Sequence, residues 1–521
     1  MKNSYDQVPY LSLPFKKSHP QRLATIAKML GMAPAEIKHC SVLELGCAAG
    51  GNLIPIAEQM PESQFFGIDF SKVQIAEGQE TIKKLGLKNI ILSEEDVLHF
   101  DSQGKKFDYI IAHGVYSWVP TQVQNKILEL CRRCLTPQGI AYISYNIYPG
   151  WHVRGMIRDL MLFRSKGKDL TTDGLKLGKE ALQLLARAVP KNELHGQILR
   201  REQSLLQEQD DYYIFHEYLE DCNTPLYFHQ FVERAEAQKL QYLGESDFGV
   251  TDIETFPEEV RVMLNSTASN RLELEQYMDF LQNKSFRQTL LCHEDVQLDP
   301  KKVLSRLGKL SARALLRPTQ SPVDLSSRDP VQFKGTKATT TTVDPLMKAA
   351  FLLLAESWPA AIPVRDLLAK AQSALAKLGS SPDEIQVNEA SRFLQPLLRC
   401  FATEQIELFT GSQEFAVSVP EKPRITELLR LQLERQERAC NLRHEVVRLD
   451  EFQSTLLVLC DGTRDYSSLL RILIDMALNQ KITIRKDGVV LRERQPIQEE
   501  LGRHLKKCLQ SLTEKALFLM E

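Results

Sequence analysis

Short apolar runs alternate with amphipathic stretches over the first 150 residues of the chain. Five of the runs have the length of buried strands, and they cover residues 41–45, 65–69, 89–92, 107–112 and 139–144. Apolar runs separated by helical periodicity are typical of parallel strands that are joined and covered by crossover helices. The pattern therefore predicts a doubly wound α/β sheet.

A glycine-rich turn follows the first of these strands. Residues 44–52 read ELGCAAGGN, and an apolar helix begins directly afterwards at Leu53. Glycine lets the backbone approach a ligand closely, and the N-terminus of the helix offers unpaired N–H groups there. The second strand ends at Asp69, where α/β nucleotide sites use a carboxylate to hold ribose hydroxyls. These features predict a nucleotide site, but the turn alone does not distinguish a nicotinamide enzyme from one that uses a methyl donor.

The following residues are predicted to interrupt and then complete this first domain, which begins with residues 1–154. Residues 155–222 carry more apolar helical surface than a short connection can bury. They are interpreted as a helical insertion that forms a dimer interface or packs on its own core. Residues 223–298 complete the domain with a helix and with strands at 240–244 and 286–292.

Two α+β domains that resemble winged helices are predicted at 299–424 and 425–521. The first contains a β-hairpin within residues 318–345 and three helices, at 346–356, 364–378 and 387–401. The second carries strands near 482–484 and 489–491. Winged helices often bind DNA, but residues 421–521 hold 18 Lys and Arg against 16 Asp and Glu with the signs interspersed. This mixture favours a solvated surface or a protein-docking role over DNA binding.

The overall charge and the N-terminal sequence bear on which partners and which compartment the protein has. With 65 Lys and Arg against 67 Asp and Glu, the net charge of −2 creates no general attraction for nucleic acid or an anionic membrane. The N-terminus lacks a signal peptide, and prolines, glycines and polar residues interrupt the longest uncharged stretch, at 134–153. We therefore expect a cytoplasmic protein without membrane insertion.

No metal site is expected, because Cys131 and Cys134 have no second pair or clustered histidines to complete one.

Five signals occur in order along the predicted sheet. They read ELGCAAG, GIDFS, EDV, FDYIIAHGV and LTPQG, and together they resemble the class I S-adenosylmethionine-dependent methyltransferases. The resemblance implies a Rossmann-like sheet in which Glu44 and the glycines border the methionine part of the donor, Asp69 holds the ribose, and Asp96 with Val97 meets the adenine. The residues expected to contact the donor are Tyr10, Glu44, Gly46, Cys47, Ala48, Gly50, Asn52, Asp69, Phe70, Asp96, Val97 and His113.

The resemblance becomes closer outside these shared motifs. The chain is similar along essentially its whole length to the rickettsial-type bacterial protein lysine methyltransferases. The segments that carry this similarity are residues 5–15, 19–20, 44–53, 148–156, 215–219, 286–293 and 461–465. The resemblance implies a cytoplasmic homodimer with a methyltransferase regulatory domain. It also implies that the enzyme methylates lysine ε-amines of protein, sometimes of outer-membrane surface proteins.

Candidates for the acceptor side lie beyond the fourth and fifth strands. A lysine amine must lose a proton before it accepts a methyl group, and a desolvated aromatic pocket with hydroxyl groups promotes that loss. The catalytic candidates that meet this description are His113, Tyr116, Trp118, Tyr145 and Asn146. Each of them is equally compatible with a position in the core.

Other acceptors remain open on the sequence alone. The chain lacks the D/N-P-P-Y/F turn of enzymes that methylate adenine or glutamine amines, and no cysteine stands beside the fourth strand for attack on cytosine. Two alternatives to protein lysine remain. One is methylation of a small molecule, and the other is a non-catalytic regulator that senses S-adenosylmethionine.

Overall fold

The computed structural model of the protein describes residues 8–377, 389–411 and 415–520. Within these ranges the chain forms two compact units. The first comprises residues up to Leu13 together with Ile26–Pro300, and the second comprises Pro14–Thr25 together with the chain from Lys301 onward. The junction at Pro300 lies next to the predicted domain boundary between residues 298 and 299.

A seven-stranded sheet forms the centre of the first unit. Its strands are β1 (Ser41–Leu45), β2 (Gln64–Asp69), β3 (Ile90–Glu94), β4 (Phe107–Ala112), β5 (Leu135–Asn146), β6 (Leu240–Glu245) and β7 (Phe286–His293). They are arranged in the order β3-β2-β1-β4-β5-β7-β6. The first five strands are parallel, and β7 runs antiparallel to both of its neighbours. The predicted doubly wound sheet is confirmed, with the strand order of class I methyltransferases.

Helices precede β1 or lie between the strands of the sheet, and residues 20–25 of the first helix are grouped with the second unit. They are α1 (Pro20–Met29), α2 (Leu53–Gln59), α3 (Lys72–Leu85), α4 (Thr121–Cys134), α5 (Gly150–Ser165), α6 (Leu175–Ala188), α7 (Leu194–Gln207), α8 (Asp211–Tyr218), α9 (Phe228–Ala237), α10 (Glu258–Thr267) and α11 (Arg271–Gln282). Local signals set their ends. The side chain of Ser71 caps the start of α3, and Gly86, with φ of 67°, ends it. Asn270 caps the start of α11 in the same way.

The predicted helical insertion consists of α5–α8. It begins at Gly150 rather than at residue 155. A side chain at Gly150 would come within 2.6 Å of the backbone oxygen of Lys284, so glycine allows the helix to start this close to β7. The four helices enclose an apolar core that includes Ile157, Met161, Leu182, Leu199, Ile214 and Phe215. The insertion therefore has a core of its own.

The first part of the second unit contains small sheets and helices. Its elements are α12 (Val303–Leu307), β8 (Ser311–Arg313), β9 (Arg317–Pro318), β10 (Val331–Lys334), β11 (Thr339–Thr342), α13 (Pro345–Ser357), β12 (Ile362–Pro363), α14 (Val364–Ala376), α15 (Glu389–Ala402) and β13 (Glu407–Phe409). The predicted hairpin is the antiparallel pair β10–β11. The three predicted helices correspond to α13, α14 and α15. Two of their predicted ends, Leu378 and Val387, lie outside the described residues.

The last part of the chain is mostly helical. Its elements are α16 (Glu427–Glu434), β14 (Ala439–Cys440), β15 (Val446–Val447), α17 (Glu451–Leu459), α18 (Tyr466–Leu478), β16 (Arg485–Lys486), β17 (Val489–Val490) and α19 (Arg494–Glu514). The strand predicted around 482–484 is wrong by a few residues, because Ile482 and Ile484 pack against the core while Arg485 and Lys486 make the strand pairing.

Sequence reasoning missed the long helix α19. The signal is present, because its fully buried positions Ile497, Leu501, Leu505 and Leu512 recur at helical spacing. Among the helices in the described part of the chain, none is long and apolar enough to cross a bilayer.

Candidate active site

The glycine turn lies at the carboxyl ends of β1 and β2. The backbone N–H of Gly46 donates to the carbonyl of Ile68 at 2.8 Å and ties the turn to β2. Gly46 and Gly50 both have φ of +75°, in the left-handed region. A Cβ on Gly46 would lie 2.3 Å from Cγ2 of Val115, and one on Gly50 would lie 2.8 Å from Cδ1 of Leu92. Both positions therefore need glycine for conformation and for space.

Asp69, the last residue of β2, holds this turn in place. Its Oδ2 accepts a hydrogen bond from the N–H of Ala48 at 2.8 Å, and its Oδ1 accepts one from the N–H of Ser71 at 2.8 Å. Ala48 has φ of +50°, a conformation that alanine seldom adopts. The contact of Asp69 with a ribose stays a prediction, and the structure adds a second role in which the carboxylate stabilises the turn.

Glu44 lies inside β1 with one carboxyl oxygen unpaired. Its Oε1 accepts a hydrogen bond from Nδ2 of Asn52 at 2.8 Å. Its buried Oε2 has no hydrogen-bond partner among the described residues. Burial raises the pKa of Glu44 to about 8, and the bond from Asn52 only partly opposes this shift. An unpaired buried oxygen costs free energy, so this site suits a ligand that brings a hydrogen-bond donor or a positive charge.

The N-terminal segment, residues 8–13, contacts the glycine turn. The N–H of Gly51 donates to Oγ of Ser12 at 2.7 Å. A Cβ on Gly51 would come 2.2 Å from the carbonyl oxygen of Ser12. The carbonyl of Tyr10 accepts a hydrogen bond from Nε2 of Gln74 on α3 at 3.0 Å. Tyr10 thus borders the donor side through its backbone. Ser12 was not among the predicted contacts, although it lies in residues 5–15, one of the segments that carry the family resemblance.

The residues predicted to meet the adenine occupy different environments. Asp96 uses its Oδ1 to accept a hydrogen bond from the N–H of Leu98 at 2.9 Å and so shapes its own turn. Val97 packs against the core of the sheet. Phe70, which is expected to contact the donor without an assigned part, directly follows Asp69 and is 66% exposed. Of these side chains, Phe70 has the most surface available to cover a ligand.

Two of the catalytic candidates, His113 and Trp118, are partly exposed. Nδ1 of His113 is 2.9 Å from the hydroxyl of Tyr142. Burial lowers the pKa of His113 to about 4, so its imidazole is neutral at physiological pH. Trp118 belongs to a short 3-10 helix after β4 and packs edge-to-face against Trp151, with the ring centroids 6.1 Å apart.

The structure places the other three catalytic candidates in the core. Tyr116 is fully buried, and Tyr145, 1% exposed, stacks on Phe231 with the ring centroids 4.0 Å apart. The buried Asn146 pairs through its Nδ2 with Oδ1 of Asn223 at 3.1 Å. Phe231, from the distant helix α9, contacts both tyrosine rings. The role of these residues on the acceptor side stays a prediction.

The arrangement favours binding and alignment over covalent catalysis. The turn contains one thiol, that of Cys47. Burial raises the pKa of this thiol well above its usual range, so it is not a thiolate. The turn is bordered instead by the unpaired oxygen of Glu44, the carboxylate of Asp69 and the exposed ring of Phe70. These groups suit a nucleoside that carries a cationic group.

Models of three known families match the chain. A methyltransferase domain matches residues 36–215, and a predicted methyltransferase regulatory domain matches residues 210–293. The C-terminal winged-helix domain of the PKMT proteins matches residues 421–517. The chain thus combines a methyltransferase domain with the regulatory domain that the resemblance implied and with a winged helix in the region where the pattern of helices and strands predicts one.

Individual relatives cover nearly the whole chain. An uncharacterized protein of Rickettsia prowazekii is 31% identical over 528 residues, which cover 99% of this chain and 94% of that protein. The structure of PKMT2 from Rickettsia typhi, also determined in complex with AdoHcy, superposes with a TM-score of 0.87 at 28% identity. It covers 98% of this chain and 100% of PKMT2. The chain therefore belongs to the rickettsial-type bacterial protein lysine methyltransferases, a family of class I enzymes that use S-adenosylmethionine as the methyl donor.

Proposed function

We propose that this enzyme acts in the cytoplasm and methylates lysine ε-amines of a protein substrate, with outer-membrane surface proteins as the first candidates. The observation that carries the proposal is the similarity to PKMT2 over 98% of the chain. This similarity extends beyond the donor-binding sheet and includes the winged-helix domain at 421–517. The mixed surface charge of that domain suits a polypeptide better than phosphate.

The residues around the glycine turn fit the methyl donor. Its methionine part carries an ammonium group, and the unpaired buried oxygen of Glu44 is a suitable acceptor for it. Asp69 would hold the ribose, and Phe70, Asp96 and Val97 would border the adenine. When bound, the donor supplies an electrophilic methyl group on its sulfonium.

The protein's own contribution to methyl transfer is to align the methyl donor with the lysine side chain. It does so without placing a positively charged side chain at His113, close to the cationic donor. His113 remains neutral because burial lowers its pKa to about 4, so it does not repel a cationic donor. The ring of Trp118, supported by Trp151, offers an aromatic wall to the methylene groups of a lysine side chain. A displacement of this kind depends mainly on holding the reacting atoms in line and on excluding water.

The test supplies donor carrying a labelled methyl group to the purified enzyme. Separate reactions contain outer-membrane proteins, cytoplasmic proteins, nucleic acid and small metabolites, and each product is hydrolysed to locate the label. We expect methylated lysine, with most label in the outer-membrane arm. An Asp69→Ala enzyme, impaired in donor binding, is the control. Label confined to nucleic acid or to small molecules would overturn the lysine proposal.

We also propose that the enzyme is a homodimer assembled through α5–α8. The insertion has its own core, yet Phe163, Leu184 and Leu194 remain 79%, 66% and 73% exposed. Large apolar side chains gain about 25 cal/mol for each Å² that a partner removes from water. A second copy of the chain is a natural cover for them.

A further inference from the structure

Three segments that carry the family resemblance meet in one cluster. They are the N-terminal segment, the start of α5 and the end of α8, which are far apart in sequence. Nη1 of Arg154 on α5 donates to Oε1 of Glu217 on α8 at 3.0 Å. The ring of Tyr10 packs edge-to-face against Tyr212, also on α8, with the centroids 5.7 Å apart. We call this group, together with Tyr213, the Glu217 cluster.

The Glu217 cluster adjoins the donor side of the site by two routes. The backbone of Tyr10 accepts a hydrogen bond from Gln74 on α3, the helix that begins beside Asp69. On the other side, the guanidinium of Arg154 lies 6.0 Å from the ring of Trp151, which packs against Trp118. The cluster is therefore linked to α3 through Tyr10 and to the aromatic pair Trp118 and Trp151 through Arg154.

The cluster keeps some exposed surface, in contrast with another ion-pair network in the same unit. The side chains of Arg154 and Glu217 retain 30% and 13% exposure. Arg287, which pairs with Glu245 and Asp279, is completely buried together with both partners. A sealed network can only stabilise the fold, whereas an accessible pair can also receive a ligand.

We propose that Glu217, held by Arg154 and flanked by Tyr10 and Tyr213, binds the amine of the acceptor lysine, an assignment that rests on the proposed function. The pairing with Arg154 offsets the carboxylate charge, so Glu217 can accept an N–H from the neutral amine without strongly stabilising the ammonium form. The tyrosine rings offer apolar surface to the methylene chain of the lysine. This arrangement orients the nitrogen lone pair and leaves the amine uncharged.

The ionisation of Glu217 gives the assignment a measurable signature. Burial raises the pKa of Glu217 to about 6, and the charge of Arg154 opposes part of that shift. The titratable groups that face it are Arg154 on α5, Tyr213 and Tyr218 on its own helix, and Tyr10; Glu202 on α7 faces Arg154. Below the pKa of Glu217, both its carboxyl group and the lysine amine carry protons that must be lost. When the logarithm of kcat/KM is plotted against pH, its slope should be about two below the pKa of Glu217. Above that pKa only the amine still has to lose a proton, and the slope should be about one.

The test compares Glu217→Gln and Glu217→Asp with Glu208→Gln, an exposed control at the end of α7. The probe is the protein substrate purified from the labelling experiment. In Glu217→Gln we expect kcat/KM to fall by about tenfold or more, chiefly through KM, and the slope of about two to disappear. Glu217→Asp should keep that slope with an intermediate KM, and the control should match the wild type.

Donor affinity separates this assignment from a purely structural role. Calorimetry with S-adenosylhomocysteine should give the same affinity for the wild type and for Glu217→Gln. An unchanged KM and pH profile in Glu217→Gln would overturn the assignment, as would an equal loss of donor affinity in both Glu217 variants. Either result leaves lysine methylation by the wild type in place. The proposed function itself fails only if the wild type labels no lysine.

Discussion

At the scale of single residues, Glu44 links the fold to donor binding. Its buried Oε2, which has no hydrogen-bond partner among the described residues, costs free energy in the protein without ligand. With a pKa of about 8, the carboxyl group of Glu44 carries a proton at neutral pH. A cationic ligand group changes this balance, because it favours the charged carboxylate. Glu44 therefore behaves as a group that ionises when the donor binds.

We predict that binding of S-adenosylhomocysteine at about pH 7 releases about one proton from the wild-type protein. The proton comes from Glu44, so the calorimetric enthalpy should depend on the ionisation enthalpy of the buffer. Glu44→Gln should lose this dependence and bind about tenfold to a hundredfold more weakly. Glu80→Gln, a surface change on α3, should behave like the wild type. A wild-type enthalpy that is independent of the buffer would contradict the prediction.

The same carboxyl group should affect stability in a pH-dependent way. The folded pKa of Glu44 is raised from 4.5 to about 8, so the folded state holds this proton more tightly than the unfolded state does. Stability is therefore lost as the pH rises through this window. Without ligand, the free energy of unfolding of Glu44→Gln should exceed that of the wild type by up to about 4 kcal/mol at about pH 9, and by little at about pH 5. Glu44→Gln should therefore unfold at a higher temperature than the wild type at about pH 9. Thermal unfolding at the two pH values measures the difference, and an equal gain at both would show that ionisation is not the cause.

The carboxylate of Asp69 should contribute to donor affinity in two ways. Asp69→Ala removes the acceptor for the N–H of Ala48 and the expected contact with the ribose, so we predict a loss of donor affinity of about a hundredfold. Asp69→Asn keeps an acceptor oxygen and should lose about tenfold. Titration calorimetry with S-adenosylhomocysteine distinguishes the two variants. Unchanged affinity in a folded Asp69→Ala protein would remove Asp69 from the site.

At the scale of elements, the N-terminal segment acts as part of the donor site. Ser12 satisfies the N–H of Gly51 at the start of α2, and Tyr10 is tied to α3 through Gln74. The segment forms no helix or strand, so the elements that it contacts hold it in place. Its position should therefore depend on the glycine turn.

We predict that Gly51→Ala displaces this segment. The new methyl group would come 2.2 Å from the carbonyl oxygen of Ser12, which is too close for any atom. Donor affinity should fall by about tenfold, and limited proteolysis near the N-terminus should accelerate. Gly155→Ala on α5 is the matched control, because a Cβ there has nothing within 4 Å. If Gly51→Ala binds donor and resists protease as the wild type does, the segment has no role in the site.

At the scale of the whole molecule, the insertion should control assembly. We predict a dimer at micromolar concentration and a monomer for the double variant Phe163→Glu/Leu184→Glu, since charged side chains on α5 and α6 oppose burial against a second copy. Light scattering gives the mass directly. Val489→Glu, at a valine that is 66% exposed in the second unit, should leave the dimer intact. A monomeric wild type would mean that the insertion serves only its own core.

The sequence by itself determined the strands, their alternation with helices and the place of the glycine turn. These features depend on residues close in sequence, whose apolar period and glycine spacing are readable without tertiary contacts. It also carried the signal for α19, whose buried positions recur at helical spacing. Local patterns were therefore sufficient for most of the fold.

Only the tertiary structure decided which partners the polar and aromatic side chains pack against. Tyr116 lies just after β4 and Tyr145 near the end of β5, and both rings pack against Phe231 from a distant helix. Arg154 and Glu217 lie 63 residues apart and pair only because α5 and α8 pack together. The physical reason is that a side chain's exposure and partners depend on long-range packing, which no local period encodes.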